Sequence, residues 1–421
     1  MAERARPGFG GEGADGELTL IDADVHQRWA DESEIVKYLP ERYRDDGLVL
    51  PTLLYRNPGG YFKDDEFTDD GGTPGSDLEK IVDDHLDRYG VDYAMFTGNS
   101  WLNLGAVPNR DYATAVAGAY NQWLIEECLS VDGRFLGSIY VPPRDPEAGA
   151  ELIREYGGHP QVRQVMLPGG SETPYGRPQY WPIYEAAEAA NLAVAVHPFS
   201  EGHGVSNPPT GAGHPNNYIE WHTLLGATFM GQLASMVTEG VFVEYPDLRV
   251  AFIEGGYGWL PHFMWRLDKN WKGLRSQVPW LEKPPSEYIR EQVWFASQPV
   301  EEPERPEQHS RLMEMIHADE TLIFASDYPH WDGDSPVLTS NSQPCQGQRT
   351  ISPSRSYSNS PGPSAVVSPV SDPSHSGARW WGQSFFRAWY SPSTLNTPTD
   401  IPSRSAMTRS PGARSAAGQT S

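Results

Sequence analysis

The segment LTLIDADVH, residues 18–26, is a short apolar run that ends in carboxylate and imidazole side chains. Seven further apolar runs follow it, and amphipathic stretches separate most of them. They are DYAMFTG (92–98), RFLGSIYV (134–141), VRQVML (162–167), LAVAVH (192–197), RVAFIEG (249–255), VWFAS (293–297) and TLIFASD (321–327). Strands that alternate with helices form parallel sheets, because parallel neighbours need a crossover connection. Since eight parallel strands can close into a barrel, the sequence predicts a (β/α)8 TIM barrel.

A doubly wound open sheet is the alternative architecture, but no glycine-rich phosphate loop follows the first run. The helical stretches include residues 109–129, 178–191 and 222–240. Two long segments, residues 31–80 and 198–221, follow the first and fifth strands. Loops at the carboxyl ends of barrel strands carry the substrate site in this architecture, so we expect these two segments to shape one.

Three regions divide the chain. Residues 1–16 are glycine-rich and charged, and we expect them to be disordered. Residues 17–336 form the barrel domain. Residues 337–421 contain 20 Ser and 10 Pro without a regular apolar period, which predicts a disordered tail. The patterning stops abruptly and no eighth helix follows, so we interpret this tail as a shifted reading frame.

The composition excludes several classes of protein. The net charge is −24 although the tail is basic, so the acidic body argues against binding nucleic acid or an anionic membrane. Two cysteines rule out a cysteine-based zinc site and make a disulfide framework improbable. The N-terminus lacks the apolar region of a signal peptide, and no apolar run approaches the 18 residues of a membrane span. These features predict a cytoplasmic protein.

Polar side chains follow the first strand where it ends. Alternation along a strand places Asp22, Asp24 and His26 on one face, and Asp24 and His26 can reach one metal ion. A solvated cluster at a strand end is the plainer interpretation of so short a pattern.

Three other strands end in the same kind of side chain. His197 ends the fifth, Glu254 the sixth, and Asp327 the eighth. Each could also be a capping or ion-paired group, and Glu254 could pair with Arg266 or Lys269. All strand ends of a barrel meet at one mouth, however, so the set predicts a divalent metal site. Histidine and carboxylate ligands suit zinc, and also manganese or iron.

The chain resembles the amidohydrolase superfamily over roughly residues 18–336, in the branch that includes aminocarboxymuconate-semialdehyde decarboxylase. The resemblance is carried by Asp22-x-Asp24-x-His26, by His197-Pro198 and by the most specific match, Ser326-Asp327-Tyr328-Pro329. It implies that Asp24, His26, His197 and Asp327 bind the metal. Independently of the resemblance, Asp327 could touch both the metal and its bound water, and so act as the general base. It also suggests a homodimer.

Glu254 departs from this family pattern, because a histidine usually stands before the glycines of the sixth strand. A glutamate can serve as acid or base, and His222 or His330 could supply an imidazole instead. We expect Glu254 and His222 to be catalytic, and Arg266 and His330 to bind substrate. The aromatic segment 257–271 is typical of a helix that packs on the barrel.

The predicted activity is metal-dependent hydrolysis or non-oxidative decarboxylation of a small carboxylated or cyclic organic molecule. The cofactor is a divalent ion, either zinc or, as the alternative, manganese. A competing hypothesis is a catalytically inactive, truncated barrel that lacks its last helix. A scaffold acting through the tail has little support, because the tail contains no repeats or clear recognition motifs.

Overall fold

The fold is a barrel of eight parallel strands. The computed structural model describes residues 19–51, 54–98 and 103–334. The strands lie in the sheet in sequence order, and each pairs in parallel with the next. They are β1 (Ile21–Val25), β2 (Tyr93–Phe96), β3 (Phe135–Tyr140), β4 (Val162–Pro168), β5 (Ala193–His197), β6 (Val250–Phe252), β7 (Val293–Ala296) and β8 (Leu322–Ile323). Each of the eight apolar runs therefore contains a strand.

The barrel closes where the first and last strands meet. The backbone N–H of Ala23 donates a hydrogen bond to the carbonyl oxygen of Phe324 over 2.9 Å, and that of His26 donates to Tyr328 over 2.8 Å. Val25 and Tyr328 form a parallel bridge at the same seam. The strand order and this seam confirm the (β/α)8 barrel and exclude the doubly wound sheet.

β6 and β8 are shorter than the apolar runs that predicted them. After β6 the backbone turns at Glu254, which has a left-handed φ of 58°. After β8 two backbone N–H groups donate to side chains instead of to a neighbouring strand. Ala325 donates to Oγ of Ser297 over 3.1 Å, and Ser326 donates to Oδ1 of Asp22 over 2.9 Å. Side chains thus replace the regular ladder at the mouth of the barrel.

Helices cover the outside of the barrel, and local capping fixes where several of them begin. The side chains of Asn109 and Asp145 accept hydrogen bonds from the backbone N–H groups of Tyr112 and Ala148. π-Helical turns, Val82–Asp87 and Leu124–Cys128, extend the third and fourth helices. The α-helices are α1 (Ser33–Val36), α2 (Glu41–Arg44), α3 (Leu78–Ile81), α4 (Arg110–Trp123), α5 (Pro146–Tyr156), α6 (Trp181–Ala189), α7 (Tyr218–Thr223), α8 (Leu225–Thr238), α9 (Val241–Glu244), α10 (Leu260–Leu274), α11 (Pro285–Gln292), α12 (Pro306–Ile316) and α13 (Ala318–Thr321).

The core consists of the strands and the inward sides of these helices. Every residue of β3 and β5 is buried, as in other parallel sheets that helices cover. The aromatic helix α10 packs in the predicted way, because it buries Phe263, Met264 and Trp271. Its polar side chains His262 and Arg266 are exposed.

The two long loops contact each other over the mouth of the barrel. Tyr55 of the first loop stacks on Trp221 at the end of the second, with ring centroids 5.6 Å apart. Tyr61 meets Tyr218 edge to face at 6.0 Å. These contacts form a roof of aromatic side chains, which agrees with the prediction that the two segments shape a site.

Several predictions concern residues outside the described part of the chain. The structure does not describe residues 1–18 and 335–421. The disordered N-terminus, the disordered tail and the shifted reading frame therefore stay predictions. Within the described ranges, no helix is both long enough and apolar enough to cross a membrane.

Candidate metal centre

Four side chains from three strand ends converge at the mouth. Nε2 of His26 lies 3.3 Å from Oδ1 of Asp24 and 3.0 Å from Oδ1 of Asp327. Nε2 of His197 lies 3.7 Å from the other Asp24 oxygen, Oδ2. All four side chains are almost completely buried. The residues that the resemblance implies as ligands therefore point at one small volume.

Hydrogen bonds and ring contacts fix how these side chains are oriented. Nδ1 of His26 is bonded to the carbonyl oxygen of Gly98 at 2.8 Å, which leaves Nε2 directed into the cluster. The hydroxyl of Thr97 donates to Oδ1 of Asp24 over 2.5 Å. Phe199 stacks on the His197 ring, with centroids 4.3 Å apart. Such outer contacts are typical of metal ligands, because they set the tautomer and the ring direction.

The cluster fits a cation, because its inward atoms lack other partners. Within the described part of the chain, Oδ2 of Asp24, Nε2 of His26, Nε2 of His197 and Oδ2 of Asp327 are buried without a hydrogen bond. A buried polar atom in this condition is costly unless a ligand satisfies it. Two imidazole nitrogens and carboxylate oxygens form a donor set that suits a divalent transition metal.

The three carboxyl groups that face the centre differ in their pKa. Burial raises the pKa of Asp24, but the imidazoles of His26 and His197 outweigh it and hold that pKa at about 2. Burial raises the pKa values of Glu254 and Asp327 well above their usual range, and repulsion from Asp24 adds to this. A divalent cation among them would reverse the balance, because it favours every ionised carboxylate.

Glu254 and His222, the two other predicted catalytic residues, lie beside the centre. Oε2 of Glu254 is 3.1 Å from Nε2 of His197, and Oε1 is 3.9 Å from Nε2 of His222. The imidazole of His222 also lies 3.3 Å from Oδ2 of Asp332 and stacks on Tyr218 with centroids 5.3 Å apart. The groups form a continuous chain from the metal ligands toward the aromatic roof.

His330 lies on the opposite side of the centre. Its Nδ1 is 2.5 Å from Oδ1 of Asp327, and its ring stacks on Phe62 with centroids 5.6 Å apart. Burial lowers the pKa of His330 to about 4, so the imidazole is neutral near pH 7. A neutral imidazole between a ligand carboxylate and an aromatic ring can contact a substrate without adding charge.

Asp22 faces away from the centre and supports the seam of the barrel. Its Oδ2 is 2.7 Å from Nε2 of His85, and its Oδ1 accepts the backbone N–H groups of Asp24 and Ser326. Its carboxylate is therefore a structural group that ties β1 to the end of β8.

Arg266, predicted to bind substrate, is not brought to the metal centre among the described residues. The apolar side of α10 packs on the barrel, and Arg266 lies on the exposed part of the helix. Among the described residues, Arg266 makes no ion pair with the side chains of the metal centre. Arg28 lies near the mouth, since it follows β1 and its guanidinium is 5.1 Å from the centre of the Phe62 ring. Burial lowers the pKa of Arg28 to about 10, so it stays charged at neutral pH.

Sequence reasoning did not find Asp332, Thr97 or the aromatic roof. Asp332 stands two residues after His330 in the conspicuous segment TLIFASDYPHWD, so a signal for it was present. Thr97 follows β2, and no local pattern connects it with Asp24. The roof depends on contacts between two loops that are far apart in sequence.

Known proteins with similar sequences belong to the family that the sequence motifs resemble. Residues 21–346 match the family model described as amidohydrolase. A curated relative, the gamma-resorcylate decarboxylase of Rhodococcus jostii (strain RHA1), is 30% identical over 226 residues, which are 50% of this chain and 63% of that protein. The 2-amino-3-carboxymuconate-6-semialdehyde decarboxylase of Dictyostelium discoideum is 25% identical over 205 residues, 47% of this chain and 51% of that protein. The chain thus spans less than two thirds of the length of these relatives.

A solved structure supports the fold independently. The 5-carboxyvanillate decarboxylase of Novosphingobium aromaticivorans DSM 12444, complexed with manganese and 4-hydroxy-3-methoxy-5-nitrobenzoic acid, superposes with a TM-score of 0.54 at 20% identity. The match covers 75% of this chain and 88% of that one. At this identity the likeness concerns the barrel alone.

Proposed function

Because this chain belongs to the amidohydrolase family, whose model it matches over residues 21–346, we propose that it is a metal-dependent carboxy-lyase. Its substrate is a small aromatic acid, from which it releases carbon dioxide without oxidation. The family membership confirms the resemblance found in the sequence. Of the two reactions that the sequence left open, decarboxylation is favoured over hydrolysis because the curated relatives are named as decarboxylases.

The observation that carries this proposal is that unsatisfied ligand atoms from Asp24, His26, His197 and Asp327 lie close together at the mouth of the barrel. These four residues would hold a divalent ion, and carboxylate ligands make manganese as suitable as zinc. When bound, the ion polarises an oxygen of the substrate and neutralises its carboxylate. The buried, convergent side chains also support an active enzyme over the inactive barrel. The segment in which that hypothesis expects the last helix to be missing lies outside the described residues.

The side chains around the centre suit an aromatic acid. Phe62 and Tyr218 offer ring faces, and each already stacks on a histidine of the site, His330 and His222 respectively. Arg28 adds a positive charge near the mouth that can attract a carboxylate. These contacts would hold a flat, singly charged ring between the metal ligands and the roof.

The reaction needs one proton, which goes to the ring carbon that bears the carboxylate. The bond between that carbon and the carboxylate then breaks, its electron pair returns to the ring, and carbon dioxide leaves. Two groups stand where they could deliver this proton, Glu254 and His222, and their nearest atoms are 3.9 Å apart. Asp327, as the general base, would accept a proton from a ring hydroxyl, while His330 contacts the substrate.

The proposal also covers the binding partner, the cellular compartment and the oligomeric state. The partner is a small molecule, and the acidic body disfavours nucleic acid and anionic membranes. We place the protein in the cytoplasm on the basis of its few cysteines. A homodimer follows from the family resemblance alone.

The test is release of carbon dioxide from a panel of hydroxylated benzoic acids by protein reconstituted with manganese or zinc. We expect at least one acid to be converted to its decarboxylated phenol, and the activity to disappear with a chelator. His197→Ala and Asp327→Ala should be inactive, whereas Asp319→Asn, an exposed change in α13, should retain full activity. No product from any acid with metal-loaded, folded protein would refute the proposal.

A further inference from the structure

The potential ligands around the mouth form two sets that overlap at His26. One ligand atom from each of Asp24, His26, His197 and Glu254 lies within 4.8 Å of the others, and the same holds for His26, Asp327 and His330. Both sets contain His26, whose Nδ1 is occupied by the Gly98 carbonyl oxygen, so Nε2 is the shared atom. A nitrogen lone pair binds one ion, so both sets can surround the same ion. Nδ1 of His330 already contacts Oδ1 of Asp327, which leaves Asp327 as the ligand that the second set would add.

Glu254 is oriented as a ligand rather than as a partner of His197. The distance from its Oε2 to Nε2 of His197 is only 3.1 Å, yet this nitrogen has no hydrogen bond among the described residues. The two atoms are close but not aligned with each other, which is the arrangement of two ligands that point at a common ion. The same combination of a short distance and poor alignment occurs between His26 and Asp327, at 3.0 Å.

The backbone presents Glu254 and Asp327 in the same way. Each follows a short strand and adopts a left-handed conformation, with φ of 58° for Glu254 and 57° for Asp327. This conformation is unfavourable for a residue with a side chain and persists where the surroundings impose it, most often at functional sites. Behind Glu254, a Cβ on Gly255 would lie 2.1 Å from the Phe229 ring, so the turn is packed tightly against α8. The turn therefore holds the carboxylate at the mouth.

Burial gives the second reason to assign a cation to Glu254. The residue is 8% exposed, and the described residues place no lysine or arginine in an ion pair with it. An ionised carboxylate in such surroundings is costly without a positive charge. Among the described residues, His197 and His222 are the basic side chains within 4 Å of its oxygens, and His197 is itself directed at the centre.

We propose that Glu254 is a fifth protein ligand of the ion, on the His197 side of the shell, while Asp327 binds from the His26 side. This inference rests on the proposed metal-dependent function and extends it. The shell then contains three carboxylates and two imidazoles, which favours manganese over zinc because carboxylate-rich sites select harder ions. Five protein ligands would leave little of the ion's coordination shell for the substrate. The proton for the ring carbon then comes from His222.

The experiment measures binding of Mn²⁺ and Zn²⁺ to metal-depleted protein by competition with a chromophoric chelator. Glu254→Gln removes the charge at constant size, and we expect the Kd for Mn²⁺ to rise by about 100-fold. Glu254→His should shift the ratio of Mn²⁺ to Zn²⁺ affinity toward zinc by about tenfold or more. Asp332→Asn is the matched control, because it changes another carboxylate, half-buried beside His222, and should leave both Kd values within about threefold of wild type.

A second measurement does not depend on the variants. In a crystal structure of the wild-type protein with Mn²⁺, located by its anomalous signal, a Glu254 oxygen should lie at coordination distance, roughly 2.0–2.4 Å. A Glu254 oxygen beyond hydrogen-bond distance from the ion, or wild-type Mn²⁺ affinity in folded Glu254→Gln, would overturn the assignment. Manganese bound through Glu254 without decarboxylation of any acid would leave this inference standing and refute the proposed function. Decarboxylase activity with no contact between Glu254 and manganese would support the proposed function and refute the assignment of Glu254 as a ligand.

Discussion

Nε2 of His26 and Oδ1 of Asp327 lie 3.0 Å apart, across the seam where the first strand of the barrel meets the last. An ion held by both residues would therefore tie the two ends of the barrel together. Since a ligand that binds only the folded state stabilises it, metal binding should stabilise the whole domain.

Removal of the metal should consequently lower the melting temperature. At a free metal concentration of 100 times Kd the ion contributes about 2.7 kcal/mol, which corresponds to several degrees. A chelator should lower the melting temperature of wild type but not that of Asp327→Ala, as measured by differential scanning calorimetry. Equal decreases in both proteins would mean that Asp327 does not bind the ion.

Asp22 should matter for stability rather than for metal binding. Its carboxylate accepts two backbone N–H groups and lies 2.7 Å from His85, all fully buried. Asp22→Ala leaves these donors unsatisfied and should cost on the order of 3–5 kcal/mol. Urea denaturation of metal-depleted protein measures this loss. Unchanged stability of the variant would contradict the role of Asp22 at the seam.

His222 should act in the chemical step. Because its ring lies 3.9 Å from Glu254 and 3.3 Å from Asp332, it can deliver a proton at the mouth. We expect His222→Asn to lower kcat by about 100-fold or more, with normal metal content. Asp332→Asn should lower kcat less and shift its pH profile, because Asp332 positions the imidazole. Steady-state kinetics over a pH range separates the two effects. A change in KM alone for His222→Asn would assign His222 to substrate binding.

The fold could be predicted because strand burial in a barrel leaves a direct trace in the sequence. Runs such as LAVAVH are apolar at every position, since both faces of a parallel strand are covered, and they end where the mouth begins. The lengths of β6 and β8 could not be predicted. β6 ends early because the backbone turns at Glu254, and β8 ends early because the side chains of Ser297 and Asp22 accept hydrogen bonds of the ladder. Both features depend on tertiary contacts.

The site was most directly predictable where its residues stand at strand ends. Asp24, His26, His197 and Asp327 follow apolar runs, and the structure brings them together. The position of Arg266 on the exposed part of α10 could not be predicted, because a sequence pattern gives the spacing of a helix and not which side faces the mouth. Asp332 was missed because its partner His222 is 110 positions away in the chain.

Replacement of Gly255 by a larger residue should destabilise the protein while Phe229 is present. A Cβ at this position would lie 2.1 Å from two carbon atoms of the Phe229 ring. Gly255→Ala should cost about 1–3 kcal/mol through overpacking and should also weaken metal binding, because it displaces Glu254. Phe229→Leu creates space, so the double variant should recover part of the stability lost by Gly255→Ala. Strict additivity of the two changes in a double-mutant cycle would argue against this contact.

Glu201 should make the stability of the protein depend on pH. The side chain is 2% exposed, it forms no ion pair among the described residues, and burial raises its pKa from 4.5 to about 8. Between these two values the unfolded chain has released the proton and the folded protein retains it. The folded state therefore binds more protons, and stability falls as pH rises from about 4.5 to about 8, by at most roughly 1.4 kcal/mol per pH unit.

Glu201→Gln is neutral at every pH and isolates this effect. Urea denaturation at fixed metal saturation should show that the variant gains stability relative to wild type as pH rises, and that the difference levels off above about pH 8. Pairing with wild type is necessary because the metal ligands titrate in both proteins and cancel in the difference. Parallel stability curves for the two proteins would mean that Glu201 is ionised in the folded state, and hence that it has a cationic partner or access to water at the mouth.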